Sequence, residues 1–95
     1  MIFEITDKTG RKIYLTEERC KHILKHPEMS NQLENIKDTL LNPLKIISYE
    51  LENNIFYYYR YYKNRKSIAK YLRVIVKYLN SKGFIITAYF IDKIK

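Results

Sequence analysis

The stretch HILKHPE sets two histidines, His22 and His26, four residues apart, and the chain has no others. On a helix this spacing projects both imidazoles from one face. They can then act as two metal ligands with Glu28 as a third, as proton donor and acceptor near neutral pH, or as ordinary helix residues beside the stop at Pro27. The HExxH arrangement of zinc hydrolases is absent, so a metal has the least support. A second group lies further along. Thr87 and Tyr89 alternate in GFIITAYFIDK, and Arg73 and Lys77 share parity in YLRVIVKYL. A hydroxyl, a phenol and two cations on one sheet face suit phosphoryl chemistry. RNA cleavage needs no metal when its own 2′-OH attacks the adjacent phosphorus. A protein must then move a proton, stabilise the charged phosphorane and protonate the leaving oxygen. The run YYYRYY at 57–62 is a third group. Tyrosine suits a half-buried sheet, and tyrosines interleaved with arginine also stack on unpaired bases while the guanidinium holds a phosphate.

The elements that carry these residues follow from local pattern. IFEIT and KIYL are short β-favouring runs around DKTGR, whose Asp and Gly suit a tight turn, so an N-terminal hairpin is expected. Thr16 before EERCKHILKH supplies a capping hydroxyl, with two glutamates in the first turn. Pro27 ends this helix. A second helix is expected from Ser30 or Asn31, with Glu34 as a capping-box partner, and the NP at 42–43 stops it. From Leu44 the period changes to two. KIISYEL, IFYYYRYYK, YLRVIVKYL and FIITAYFIDKIK read as four strands, with ENN and NSKG as turns and NRKSIAK as a basic connection. The expected class is α+β: two N-terminal helices, preceded by a short hairpin, packed on a four-stranded antiparallel meander in one domain over residues 1–95.

Alternation predicts the faces. Leu72, Val74 and Val76 face the helices, and Arg73, Ile75 and Lys77 face outward. In the last strand Phe84, Ile86, Ala88 and Phe90 form one set, and Ile85, Thr87, Tyr89 and Ile91 the other. If the apolar sets pair, Thr87 and Tyr89 share a face with Arg73 and Lys77. The side taken by Arg60 is open.

Charge narrows the classes. The net charge is +8, but residues 1–59 hold 8 Lys/Arg against 9 Asp/Glu, whereas residues 60–95 hold 10 against Asp92 alone. A positive field confined to the C-terminal third attracts polyanions, nucleic acid foremost, with an acidic protein or an anionic membrane surface as alternatives. No apolar run approaches the roughly 20 residues that span a bilayer, and the N-terminus lacks the pattern of a signal peptide. Cys20 stands alone, which excludes an internal disulfide. A cytoplasmic, soluble domain without cofactor is expected.

Together, LTEERCKHILKHPEM, LLNP, YYRYYK, YLRVIVK and GFIITAYFIDKIK resemble the small phage- and prokaryote-borne domains of the barnase, EndoU, colicin-ribonuclease and RelE-like nuclease superfamily, from about Leu15 to Lys95. The resemblance implies metal-independent RNA cleavage across the free sheet face, in a toxin held inactive by an acidic antitoxin protein. The positions it marks are His22 and His26 in the helical motif, Arg60 and Lys77 in the strands, and Thr87 and Tyr89 in the last strand. On this reading a histidine is the general base or acid, Arg60 and Lys77 stabilise the phosphorane, and Thr87 and Tyr89 position the phosphate or donate a proton. Tyr58, Tyr62, Lys63, Arg65, Lys66 and Arg73 are the expected RNA-binding residues. The alternative is a non-catalytic module of the same fold that binds RNA or an acidic partner.

Overall fold

The structure is a computed structural model that describes residues 1–94. The chain runs β1 (Phe3–Thr6), β2 (Lys12–Leu15), α1 (Glu17–Leu24), one 3-10 turn (Pro27–Met29), α2 (Leu33–Leu41), β3 (Lys45–Ser48), β4 (Ile55–Tyr61), β5 (Tyr71–Leu79) and β6 (Lys82–Ile91). Thr16 caps α1 by accepting from the Arg19 amide at 3.2 Å. The α2 start differs from the expected capping box. Gln32 is the residue before the helix, without a side-chain cap, and Asn31 instead takes a left-handed φ of 62°, which asparagine tolerates.

All strands join one six-stranded sheet in the order β1-β2-β6-β5-β4-β3. This corrects the expected four-stranded antiparallel meander. Strands β3 to β6 are antiparallel neighbours, but the N-terminal hairpin also belongs to the sheet, with β2 lying parallel to β6. The reason is burial. Ile13 and Leu15 are fully buried, and so need cover that a free-standing hairpin lacks. The exposed edge of β6 provides it, and its unpaired backbone groups gain partners. Lys12, Ile13 and Tyr14 pair in register with Lys82, Gly83 and Phe84. At Gly83 a Cβ would lie 2.8 Å from the Tyr78 ring and 2.9 Å from Val76, so the missing side chain makes room for the tyrosine.

The core lies on one face. Leu72, Val74, Val76, Ile85 and Ala88 of the sheet pack with Ile23 of α1, Met29, and Ile36 and Leu40 of α2. Asn80 and Ser81 both have positive φ, as the tight turn between β5 and β6 requires. A bulge then breaks the alternation expected in β6. Ile75 pairs with Thr87, but Val76 pairs with Ile85, so Ile86 is the extra residue. Ile85 therefore enters the core at 1% exposure, and Phe84 turns to the other face, where it stacks on Tyr14 with ring centroids 5.6 Å apart.

Candidate nucleic-acid interface

The face of the sheet opposite the helices is built from every second residue of β3, β4, β5 and β6. Register sets Tyr59 opposite Arg73 on β4 and Tyr89 opposite it on β6. The guanidinium donates to both phenols: Nε to the Tyr59 oxygen and Nη1 to the Tyr89 oxygen, each at 3.0 Å. It also lies 5.0 Å from the Tyr57 ring centroid. Three tyrosines thus frame one arginine. Burial opposes the arginine's charge, but its hydrogen bonds to Tyr89 and Tyr59 outweigh that and raise its pKa, so it is a permanent cation. Burial, reinforced by neighbouring Tyr49, pushes Tyr57 upward, which keeps that phenol neutral.

Thr87 and Lys77 share this face, Thr87 opposite Ile75 and Lys77 opposite Phe84. Lys77 is four residues from Arg73 on one strand, roughly 13 Å at the usual rise. That is too far for both cations to grip one phosphate, and it suits two successive positions along a backbone. Lys77 also lies 3.9 Å from Glu52, an exposed pair of small energetic weight.

The other sequence-marked residues lie elsewhere. His22 is exposed on α1, in an open surface hollow with Glu18, Arg19, Lys21 and Lys25. His26 is exposed just after α1, its Nδ1 3.6 Å from Glu28. Both stand in the helical layer, across the sheet from Arg73. Arg60 has the opposite parity to Tyr59 and faces the helices. Its Nε pairs with Asp38 at 2.9 Å, and Nη1 donates to the Asn42 carbonyl at 2.7 Å, closing the end of α2. Tyr58 is fully buried in the core. Tyr62 is half-buried, and its hydroxyl donates to the Asn35 carbonyl at 2.9 Å; burial raises its pKa. Lys63 and Lys66 are exposed on the β4–β5 connection. Arg65 lies over the Phe90 ring at 3.5 Å and donates to the Ala69 carbonyl at 3.0 Å.

The structure therefore brings together Arg73, Tyr89, Thr87 and Lys77 on one surface. It separates them from both histidines, from Arg60 and from Tyr58 and Tyr62. Within the YYYRYY run the sequence reading marked Tyr58 and Tyr62, whereas Tyr57 and Tyr59 are the ones beside Arg73, and Tyr49 it passed over. Five tyrosines in the six positions 57–62 leave the parity of that strand undetermined by hydrophobicity. The one usable signal was pairing with YLRVIVKYL, whose apolar parity is unambiguous.

What the surface can do chemically is hold a phosphate at Arg73 and stack planar rings on Tyr57 and Tyr89, whereas Tyr59, 1% exposed, lies beneath and supports the guanidinium. Among the described residues no three His, Cys, Asp or Glu side chains converge as a metal site requires, and no helix is long and apolar enough to cross a membrane. Comparisons with protein-family profiles, with curated proteins and with solved structures returned no match.

Proposed function

We propose that this protein is a metal-independent endoribonuclease of toxin type, acting in the cytoplasm, that receives single-stranded RNA on the uncovered sheet face. The observation that carries the reading is Arg73 framed by Tyr57, Tyr59 and Tyr89 on a face that no helix among the described residues covers. The positive C-terminal third of the chain and the resemblance to the barnase, EndoU, colicin-ribonuclease and RelE-like group support it.

In this reading Arg73 neutralises the phosphorane. The 2′-oxygen bonds to phosphorus, its proton passes to a nonbridging phosphate oxygen, and the bond to the 5′-oxygen breaks. The Tyr89 oxygen accepts from Arg73, so its own proton is free for the leaving 5′-oxygen. Later return of the phosphate-borne proton restores the phenol. The products are a 2′,3′-cyclic phosphate and a 5′-hydroxyl. Lys77 holds the next phosphate along the strand. An acidic antitoxin covering the same cationic face is the partner this reading implies.

One observation favours a second reading, the non-catalytic RNA-binding module: neither imidazole is on the face that carries Arg73. The test is incubation of folded protein with total cellular RNA in EDTA, alongside Arg73→Ala, Tyr89→Phe and Lys77→Ala. Cleavage that leaves cyclic phosphate ends, lost in Arg73→Ala and sharply reduced in Tyr89→Phe, is the expected result. Intact RNA bound with steep salt dependence replaces the nuclease with the binding module. Neither cleavage nor binding removes both.

A further inference from the structure

The sheet ends in β1 on one side and in β3 on the other. The β1 edge is guarded, since Glu4 at its middle is held by Lys12 at 3.6 Å. The β3 edge is not. Its centre is Ile46 and Ile47, and Leu44 and Leu51 bracket it at 62% and 76% exposure. Its backbone is set for a further strand. The Tyr49 amide donates to the Ile55 carbonyl at 2.8 Å, so by antiparallel alternation Ile47 also bonds towards β4. The amides and carbonyls of Ile46 and Ser48 therefore point outward, away from the sheet.

The side chains of this edge are self-complementary. Lys45 and Glu50 stand at its two ends, both exposed, and no salt bridge among the described residues engages either. Both lie on the free face, Lys45 by its register with Tyr59 and Glu50 in a surface hollow with Ile47, Tyr57 and Arg73. A cation at one end, an anion at the other and isoleucine between them match an antiparallel copy of the same strand. One two-fold register engages the outward groups of both residues of both copies. It sets Ile46 opposite Ser48 of the second copy and Ile47 opposite Ile47. A register centred on Ile46 would call on Leu44, whose amide already donates to the Tyr59 carbonyl at 2.7 Å. One centred on Ser48 would call on Glu50, beyond the end of the strand. In the remaining register Lys45 meets Tyr49 of the second copy across about 4.8 Å, beside that copy's Glu50.

We propose that this chain associates with a second copy of itself by antiparallel β3–β3 pairing about a two-fold axis at Ile47, with Lys45 of each copy set against Glu50 of the other. The two sheets then join into one, and the face that carries Arg73 continues from copy to copy. The pairing closes on itself, so it stops at the dimer. It uses the edge of the sheet and not its face, and it is independent of the RNA reading.

The test is sedimentation velocity of the purified protein over a concentration series. The expected result is a shift from the 11.6 kDa of the chain to twice that mass. Ser48→Pro should stay monomeric, because proline lacks the outward N–H, and an edge position tolerates it without loss of fold. Lys45→Glu should weaken the dimer about tenfold by setting like charges together, and Lys45→Glu with Glu50→Lys should restore it. Register is read by cross-linking under mild oxidation. Ile47→Cys should form an intermolecular disulfide, since a non-hydrogen-bonded antiparallel pair sets its Cα atoms about 4.5 Å apart. Ser48→Cys, which meets Ile46, should not, and buried Cys20 does not compete. A monomer at every concentration, equal cross-linking at the two positions, or a charge exchange that restores nothing overturns the proposal. Open-ended growth past the dimer also overturns it, because it marks pairing of β3 with the β1 edge. If Ser48→Pro fails to fold, the charge exchange and the cross-links decide.

Discussion

The Tyr58 hydroxyl donates to Asp7 Oδ2 at 2.6 Å, a bond between residues fifty-one positions apart that ties the N-terminal hairpin to the centre of the sheet. Asp7 ends the first strand of that hairpin at 5% exposure. Its Oδ1 accepts from the Thr9 amide, the Thr9 hydroxyl and the Arg11 amide, which shapes the turn. The Tyr78 hydroxyl lies 2.5 Å from that of Tyr58. Since Tyr58 gives its proton to Asp7, Tyr78 donates to Tyr58. Arg11 covers the Tyr78 ring, its guanidinium carbon 3.9 Å from the centroid. One buried carboxylate thus organises a turn and two strands.

Burial works against ionisation of Asp7, but the hydrogen bonds from Tyr58, Thr9 and Arg11 outweigh it and hold its pKa below the ordinary value. A lowered acid contributes stability that is present above the unfolded pKa of about 4 and is lost as pH falls through the folded value. Thermal melts of wild type and Asp7→Asn should therefore differ most near pH 7 and converge below about pH 4. A gap independent of pH would show that the carboxylate's charge contributes nothing.

Tyr58→Phe removes the donor and leaves Asp7 a buried anion short of one partner. Burial and the bond to Asp7 keep this phenol protonated throughout the neutral range, so the cost should not vary between pH 6 and 9. Urea denaturation should show a loss of about 1.5–3 kcal/mol, the range for hydrogen bonds to charged groups. A loss under about 0.5 kcal/mol would mean that water replaces the hydroxyl.

Gly83→Ala places a methyl group against Tyr78 and Val76. Overpacking of this kind costs about 1–3 kcal/mol. Because the ring that must shift carries the hydroxyl bonded to Tyr58, Gly83→Ala and Tyr58→Phe should be non-additive in a double-mutant cycle, and simple additivity would refute the link.

Arg60→Ala should cost only about 0.5–1 kcal/mol, since its pair with Asp38 is partly exposed. Its effect on RNA affinity should be small, because the side chain faces α2. A loss of affinity as large as that of Arg73→Ala would place the binding surface on the wrong side of the sheet.

Arg73→Ala should lower RNA affinity and flatten its dependence on salt, reducing the slope of log affinity against log salt by about 0.7 for a single strand. Arg73→Lys keeps the charge but not the two-pronged geometry that holds Tyr59 and Tyr89, so it should restore the slope without full affinity. Replacing His22 and His26 together by alanine should leave the slope nearly unchanged.

What could be read from the chain alone was local. Thr16 before two glutamates, Pro27 after His26, and the NSKG turn mark element ends through capping, ring sterics and left-handed backbone. Those effects act within a few residues. The strict alternation of Leu72, Val74 and Val76 likewise put Arg73 and Lys77 on the free face, because an unbroken apolar parity leaves no choice. Tertiary structure decided the rest. Four residues of β2 carry no sign of the strand they will pair with, so the parallel union with β6 depended on where Ile13 and Leu15 found cover. One inserted residue at Ile86 exchanged the faces of Phe84 and Ile85, which period-two reading cannot anticipate. In the tyrosine strand, where both parities are equally apolar, only the pairing of Tyr59 with Arg73 and of Tyr58 with Asp7 determined which rings lie under the free face and which fill the core on the helical side.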